Sequence, residues 1–185
     1  INSNGTISPP RQTIQHNGNS INRKRQEKAH VHATVFSPDY QRLLAPDLGM
    51  DKLMIYKVAP GSGALLAADP PFVEVNPGAG PRHLEFHPNG LFVYLIEELT
   101  GTVGVYKYTE GKLSLLQNTS AHPLSYNGAM GSADIHVSPD GNFLYCSNRG
   151  DANNIAIFRI DQETGMIKIA GFQPTLGIHP RNFFF

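Results

Sequence analysis

Three stretches of the chain align without gaps: "VFSPDYQRLLAPDLG" from Val35, "EFHPNGLFVYLIEEL" from Glu85 and "HVSPDGNFLYCSNRG" from His136. Their shared prolines, Pro38, Pro88 and Pro139, stand 50 and 51 residues apart. A repeat of this length narrows the fold sharply, because periods of about 40 to 50 residues are those of propeller blades. Each repeat runs an apolar stretch into Pro-Asp-Gly, Pro-Asn-Gly or the variant Pro-Asp-Tyr. Proline presets φ there and glycine accepts a positive φ, so a hairpin is expected. Second strands follow ("LLAPDL", "LFVYLI", "FLYCSN"), then alternating third strands ("KLMIYKV", "TVGVYKY", "NIAIFRI"). Weaker fourth strands come after glycine-containing turns, in "GSGALLAADPPFVEV", "GKLSLLQNTS" and "GMIKIAGFQP". Four strands per repeat is the composition of a β-propeller blade. No segment carries sustained helical periodicity with start and stop signals, so the expected class is all-β rather than α/β.

The expected organisation is a blade remnant over residues 1–29, blades over about 30–78, 79–130 and 131–178, and the start of a further blade over 179–185. The first 29 residues, rich in Asn, Gln, Pro and Ser, read as irregular, with one short strand over 5–8. About three and a half blades is fewer than the roughly four to eight of closed propellers. The sequence opens on Ile1 rather than Met, and its final "HPRNFFF" parallels "GPRHLEF" at a blade start. It is therefore read as a piece of a longer protein, with a blade edge open to self-association.

Fifteen Lys and Arg balance 15 Asp and Glu, and the isoelectric point is about 7.3, which gives no electrostatic reason to expect a nucleic-acid or membrane partner. No apolar run approaches the roughly 20 residues of a membrane helix and no signal segment opens the sequence, which leaves the compartment open; a cytoplasmic location is the expectation, with the natural N-terminus not visible. The single Cys146 excludes an internal disulfide and any cysteine-based zinc cluster, and reads as a small buried hydrophobe. His30 and His32 in "HVH" share a strand face, but no third ligand lies nearby; no metal and no organic cofactor is expected.

A trial hairpin register sets Arg82 opposite Glu98, Ala133 opposite Arg149 and His32 opposite Leu48. One rim layer then collects His32, Arg82, Glu98 and Arg149, and the next pairs His83 with Glu97, Asp134 with Asn148 and Ala33 with Asp47. The start of a first strand and the end of a second share one end of the hairpin, and innermost strands line a central channel, so these groups converge. Structural alternatives stand beside each reading: a cross-strand ion pair for Arg82 and Glu98, a packed His32, an Asp134–His136 pair that holds the blade, and a solvated turn charge at Arg149. "NPGAGPRH" before Arg82 either lets backbone approach a ligand or simply turns the chain.

The strings "HVHATVFSPD", "APDLGMDKLMIY", "GAGPRHLEFHPNGLFVYLIEEL", "SADIHVSPDGNFLYCSNRG" and "HPRNFF" resemble the lactonase family of seven-bladed β-propellers, whose name-giving activity is 6-phosphogluconolactonase. The resemblance covers about residues 26–185, and a WD-type propeller is disfavoured because the chain has no Trp. It implies hydrolysis of a sugar lactone, 6-phosphogluconolactone to 6-phosphogluconate of the pentose phosphate pathway, with a phosphorylated sugar lactone as the small-molecule partner and no cofactor. It also implies that about half the family's length lies outside this sequence, so that the isolated piece is inactive. The family is similar to fungal muconate lactonising enzymes that use a His, Arg, Glu and Arg set, which falls on His32, Arg82, Glu98 and Arg149. His83, Asp134 and His136 are substrate-binding candidates, as is Arg181 at the equivalent blade-start position. In this reading Arg82 and Arg149 hold the phosphate, Glu98 takes a proton from attacking water, and His32 hydrogen-bonds the oxyanion or protonates the leaving oxygen, roles that are interchangeable. Pairing with Arg82 would lower the pKa of Glu98 and weaken it as a base. A cycloisomerase acting on a dicarboxylate such as muconate, or a binding propeller without turnover, are the rival functions.

Overall fold

A computed structural model describes residues 2–184. They form three four-stranded antiparallel sheets, each a simple meander, and no helix. Blade 1 comprises β1 (Val35–Phe36), β2 (Arg42–Asp47), β3 (Lys52–Val58) and β4 (Leu65–Glu74). Blade 2 comprises β5 (Pro81–Phe86), β6 (Phe92–Glu97), β7 (Thr102–Thr109) and β8 (Lys112–Ser120). Blade 3 comprises β9 (Ser132–Val137), β10 (Phe143–Asn148), β11 (Asn154–Ile160) and β12 (Ile167–Pro174).

Burial explains why "FVYLIE" in β6 reads as a continuous apolar run instead of an alternating one. Every residue of β6 is buried. Successive side chains leave a strand on opposite faces. Phe92, Tyr94 and Ile96 accordingly join a core with Ile135, Leu144 and Phe158 of blade 3, while Val93 and Leu95 join one with Leu44, Leu53 and Leu84 on the blade 1 side. A strand buried on both faces welds two neighbours together. Cys146 lies fully buried in the first of these cores.

The repeated turns work as the sequence suggests, with one variation. Ser37 Oγ donates to Asp39 and accepts from Arg42 N at 2.9 Å, and Ser138 accepts from Phe143 N at the same distance. In the second repeat His87 replaces serine, and its Nε2 reaches Gly141 O of the next blade's turn at 3.0 Å. Tyr40 takes the left-handed position (φ 56) that Gly90 and Gly141 hold at φ 73 and 75.

The rim register differs from the trial one by two residues. Glu98 N donates to Gly80 O rather than pairing with Arg82, Arg149 N donates to Gly131 O, and Leu48 N to His30 O. The turn accounts for one residue of this offset, since His87 pairs with Phe92, and a β-bulge for the other: Pro81 faces Glu97 while His83 faces Ile96, leaving Arg82 as the extra residue. Of the second layer, Glu97 turns away from His83 toward Thr102 and Asn118, Asn148 bonds Ser132 and Ala121 O, and Asp47 bonds His16.

Residues 2–29 are irregular, and no strand forms over 5–8, where the Asn2, Asn4 and Thr6 side chains bond one another and close a local turn. This segment is nevertheless fastened to blade 1. The Gln12 amide pairs with both backbone groups of Leu65 (2.8 and 2.9 Å), as Gln117 does with Ile167 between blades 2 and 3. His16 bridges Asp47 (2.7 Å) and the Tyr56 hydroxyl (2.6 Å). Gln26, with no exposed surface, donates to Leu48 O at 2.9 Å. Lys28 O lies so close to Gly49 that an added Cβ would stand 1.8 Å from it. Gly49→Ala is therefore expected to destabilise the protein by about 1–3 kcal/mol through overpacking against backbone. Urea unfolding checks this, and a variant as stable as the parent would show that the segment is not held there.

Candidate functional site

Glu98 follows β6 at the rim, and its side chain is almost wholly buried. A carboxylate withdrawn from water needs charge and hydrogen bonds in return. Arg82 Nε donates to its Oε2 at 2.8 Å, Arg149 Nη2 stands 3.1 Å from the same oxygen, and Arg25 Nη2 donates to Oε1 at 2.5 Å. His32 Nε2 is 4.0 Å from Oε2. Burial pushes the Glu98 pKa up, but the Arg25 hydrogen bond and the charges of Arg149, Arg25 and Arg82 outweigh it and hold the group below its ordinary value. That environment makes Glu98 an anchor for cations and a poor proton acceptor.

Each cation reaches the carboxylate for a local reason. Arg82 projects from the β5 bulge, 2% exposed, and its Nη1 also donates to Ala133 O of β9 (2.8 Å) and to His83 Nε2 (3.0 Å). Arg149 closes β10, with Nε on Gly131 O at 2.8 Å. Arg25 comes from the N-terminal segment, set in place by the buried Gln26 next to it. Sequence reasoning missed Arg25; its one signal is the basic run Arg23-Lys24-Arg25 shortly before "HVH".

A second chain of bonds adjoins the first. His83 Nδ1 meets Asp134 Oδ1 at 2.7 Å, Asp134 Oδ2 meets His136 Nε2 at 3.3 Å, and His136 Nδ1 meets Glu85 Oε2 at 3.0 Å. Asn182 Nδ2 and Phe183 N also donate to Asp134 Oδ2. Burial raises the Asp134 pKa, yet the hydrogen bonds from His136, His83 and Phe183 N hold it well below the usual carboxylate range. The bonds to Asp134 and Glu85 raise His136 to about 10. His32 goes the other way, to about 4, because it is partly buried and faces the Arg82 charge.

Of the residues singled out from the sequence, His32, Arg82, Glu98 and Arg149 come together, and His83, Asp134 and His136 form the adjoining chain. Arg181 is exposed and makes no ion pair among the described residues; its charge reaches Arg82 only through space. Within "NPGAGPRH" the Gly78 and Gly80 amides are taken up by Asp51, to which they donate at 2.6 and 2.8 Å. His30 bonds Glu27, and among the described residues no three His, Cys, Asp or Glu side chains converge as a metal site. Cavities of about 220 and 160 Å³ open on either side of Arg25, one lined by Glu98, Gly131, Arg149 and His179, the other by Lys24, His30 and His32.

Comparison with known proteins gives this rim its setting. The profile described as Lactonase, 7-bladed beta-propeller, matches residues 1–185. The chain belongs to the lactonase family. It is 40% identical over 187 residues to a 6-phosphogluconolactonase of Formosa agariphila, covering 99% of this chain and 52% of that protein. It is 35% identical to the 6-phosphogluconolactonase of Bacillus subtilis, covering 100% of this chain and 52% of the relative. The structure of the Pseudomonas aeruginosa periplasmic gluconolactonase superposes with a TM-score of 0.92 at 39% identity, over 100% of this chain and 52% of that one. This lactonase-family chain thus spans about half the length of the relatives it matches.

The opposed histidine shifts give this lactonase-family chain a pH signature. A His136 pKa raised from 6.5 to about 10 contributes stability that is fully present below about pH 6.5 and lost as pH rises toward 10. His32, lowered from 6.5 to about 4, contributes stability that is lost as pH falls from 6.5 toward 4. Chemical unfolding of the protein and of His136→Gln across this range is expected to show that the variant loses the alkaline decline. An identical alkaline slope in both would disprove the His136 pairing.

Proposed function

We propose that this rim is the substrate site of a lactone hydrolase that converts 6-phosphogluconolactone to 6-phosphogluconate. The observation that carries the reading is the Glu98 carboxylate with Arg25, Arg82 and Arg149 gathered on it and His32 beside it. Three guanidiniums on one carboxylate leave excess positive charge, which suits an anionic sugar lactone and the oxyanion formed when its carbonyl is attacked. The names of the Formosa and Bacillus relatives support the same substrate.

His32 suits the proton-transfer role better than Glu98. Both are weak bases, His32 at about 4 and Glu98 held below its ordinary value, but three guanidiniums occupy the Glu98 carboxylate, whereas the His32 ring stands 4.0 Å from it, unprotonated at neutral pH and placed to take a proton. Water adds to the lactone carbonyl and gives its proton to His32 as the tetrahedral intermediate forms, with the carbonyl oxygen's charge held by the guanidiniums. The bond from carbonyl carbon to ring oxygen then breaks, and His32 returns the proton to that oxygen, which leaves as the sugar hydroxyl. An imidazolium as acidic as that of His32 gives its proton up readily. Glu98 fixes the arginines in place.

In the full-length protein, His32→Ala is expected to lower kcat on 6-phosphogluconolactone by about 10²- to 10⁴-fold, the usual contribution of a proton-transfer group. Glu98→Gln is expected to lower kcat/KM by about 10²-fold by loosening the arginines. Unchanged turnover in either variant removes that residue from the mechanism. Turnover of a muconate-type lactone in place of the sugar lactone would make the protein a cycloisomerase, and turnover of neither would make it a binding propeller.

A further inference from the structure

The three arginines on Glu98 are not equivalent. Arg82 is 2% exposed and spends Nε on Glu98 and Nη1 on Ala133 O and His83. Arg149 spends Nε on Gly131 O and Nη2 on Glu98 and Ser132 O. Both are bound into the blades. Arg25 engages Glu98 through Nη2 alone, and half of its side-chain surface is exposed. Its Nε and Nη1 therefore retain their donors, and Arg25 lines both of the cavities beside the site.

Its backbone, by contrast, is fixed. Gln26 is fully buried on Leu48 O, Arg25 N and Gln26 N both donate to Asn22 O, and Ser20 N donates to Gln26 O. The arrangement is a pinned backbone with a guanidinium facing solvent, adjacent to a carboxylate already neutralised by two other cations. A group so placed can take an incoming anion without moving the chain and without leaving Glu98 unpaired. Glu98 and its three guanidiniums carry two positive charges in excess, which matches the charge of about −1.5 to −2 on a phosphate monoester at neutral pH.

We infer that Arg25 is the specificity-determining residue of this site, holding the phosphate of a phosphorylated sugar lactone through its free guanidinium edge and so selecting it over the unphosphorylated sugar. The inference rests on the lactonase reading for its substrate but makes a separate demand. That demand is a division of labour in which Arg82 and Arg149, committed to backbone and to Glu98, serve the lactone carbonyl end and Arg25 the phosphate end.

The test compares the full-length protein with Arg25→Met and Arg25→Lys on 6-phosphogluconolactone and on gluconolactone. The ratio of the two kcat/KM values is expected to fall by about 10- to 100-fold in Arg25→Met, the worth of a charged hydrogen-bonded contact, with partial recovery in Arg25→Lys, which keeps the charge but not the fork. A ratio equal to that of the parent, even with both rates lowered, would overturn the inference, since loss of fold or of Glu98 positioning affects both substrates alike. Should the parent turn over neither lactone, the lactonase reading fails by itself. Calorimetric binding of 6-phosphogluconate against gluconate then decides for Arg25: a preference for the phosphorylated acid that drops at least tenfold in Arg25→Met supports it, and equal preference in parent and variant refutes it.

Discussion

Everything at the rim depends on keeping one buried carboxylate charged. Glu98 sits where β6 leaves the blade, and three guanidiniums from parts of the chain far apart in sequence meet on it: Arg25 from the N-terminal segment, Arg82 from β5 and Arg149 from the end of β10. Removing one partner of a buried ion pair leaves the other uncompensated, which costs far more than an exposed pair is worth. The cluster is thus both a structural joint between segment and blades and a fixed field of positive charge. The two histidines beside it answer to different neighbours: burial, aided by the Arg82 charge, lowers the pKa of His32, while hydrogen bonds to Asp134 and Glu85 raise that of His136.

Blade packing is what brings the joint together. Because β6 is buried on both faces, blade 2 cannot shift against either neighbour without opening a core. The Gln117–Ile167 and Gln12–Leu65 amide clamps and the His87 contact to Gly141 O add directional bonds between elements that apolar packing alone would allow to slide. With the sheets fixed, the Arg82 side chain lies within reach of Ala133 O on β9, and the bulge at that position turns it toward Glu98.

The repeat made the blades legible: prolines 50 and 51 residues apart, turns of fixed type and apolar strands are all local features, and the three sheets follow them closely. Four of the cluster's members were legible too, through the resemblance and because polar residues at blade ends stand out against apolar strands. The Arg82–Glu98 ion pair was legible as well, but the backbone register was not, because the turn shifts it by one residue and a bulge at Arg82, which leaves no periodic mark, shifts every partner beyond it by one more. Glu97 illustrates the consequence, since the residue expected beside His83 points instead to Thr102 and Asn118. Arg25 was hidden for another reason. It lies in a stretch without strand pattern, and its place is set by a single buried amide, Gln26, whose partner Leu48 is 22 residues away.

The most direct measurement is a crystal structure of the full-length protein with 6-phosphogluconate bound. The account predicts the product at the Glu98 rim, its carboxylate within hydrogen-bonding distance of Arg149 or Arg82 and its phosphate on Arg25. Product bound elsewhere, with Glu98 and its three arginines untouched, would contradict the claim that this cluster is the substrate site.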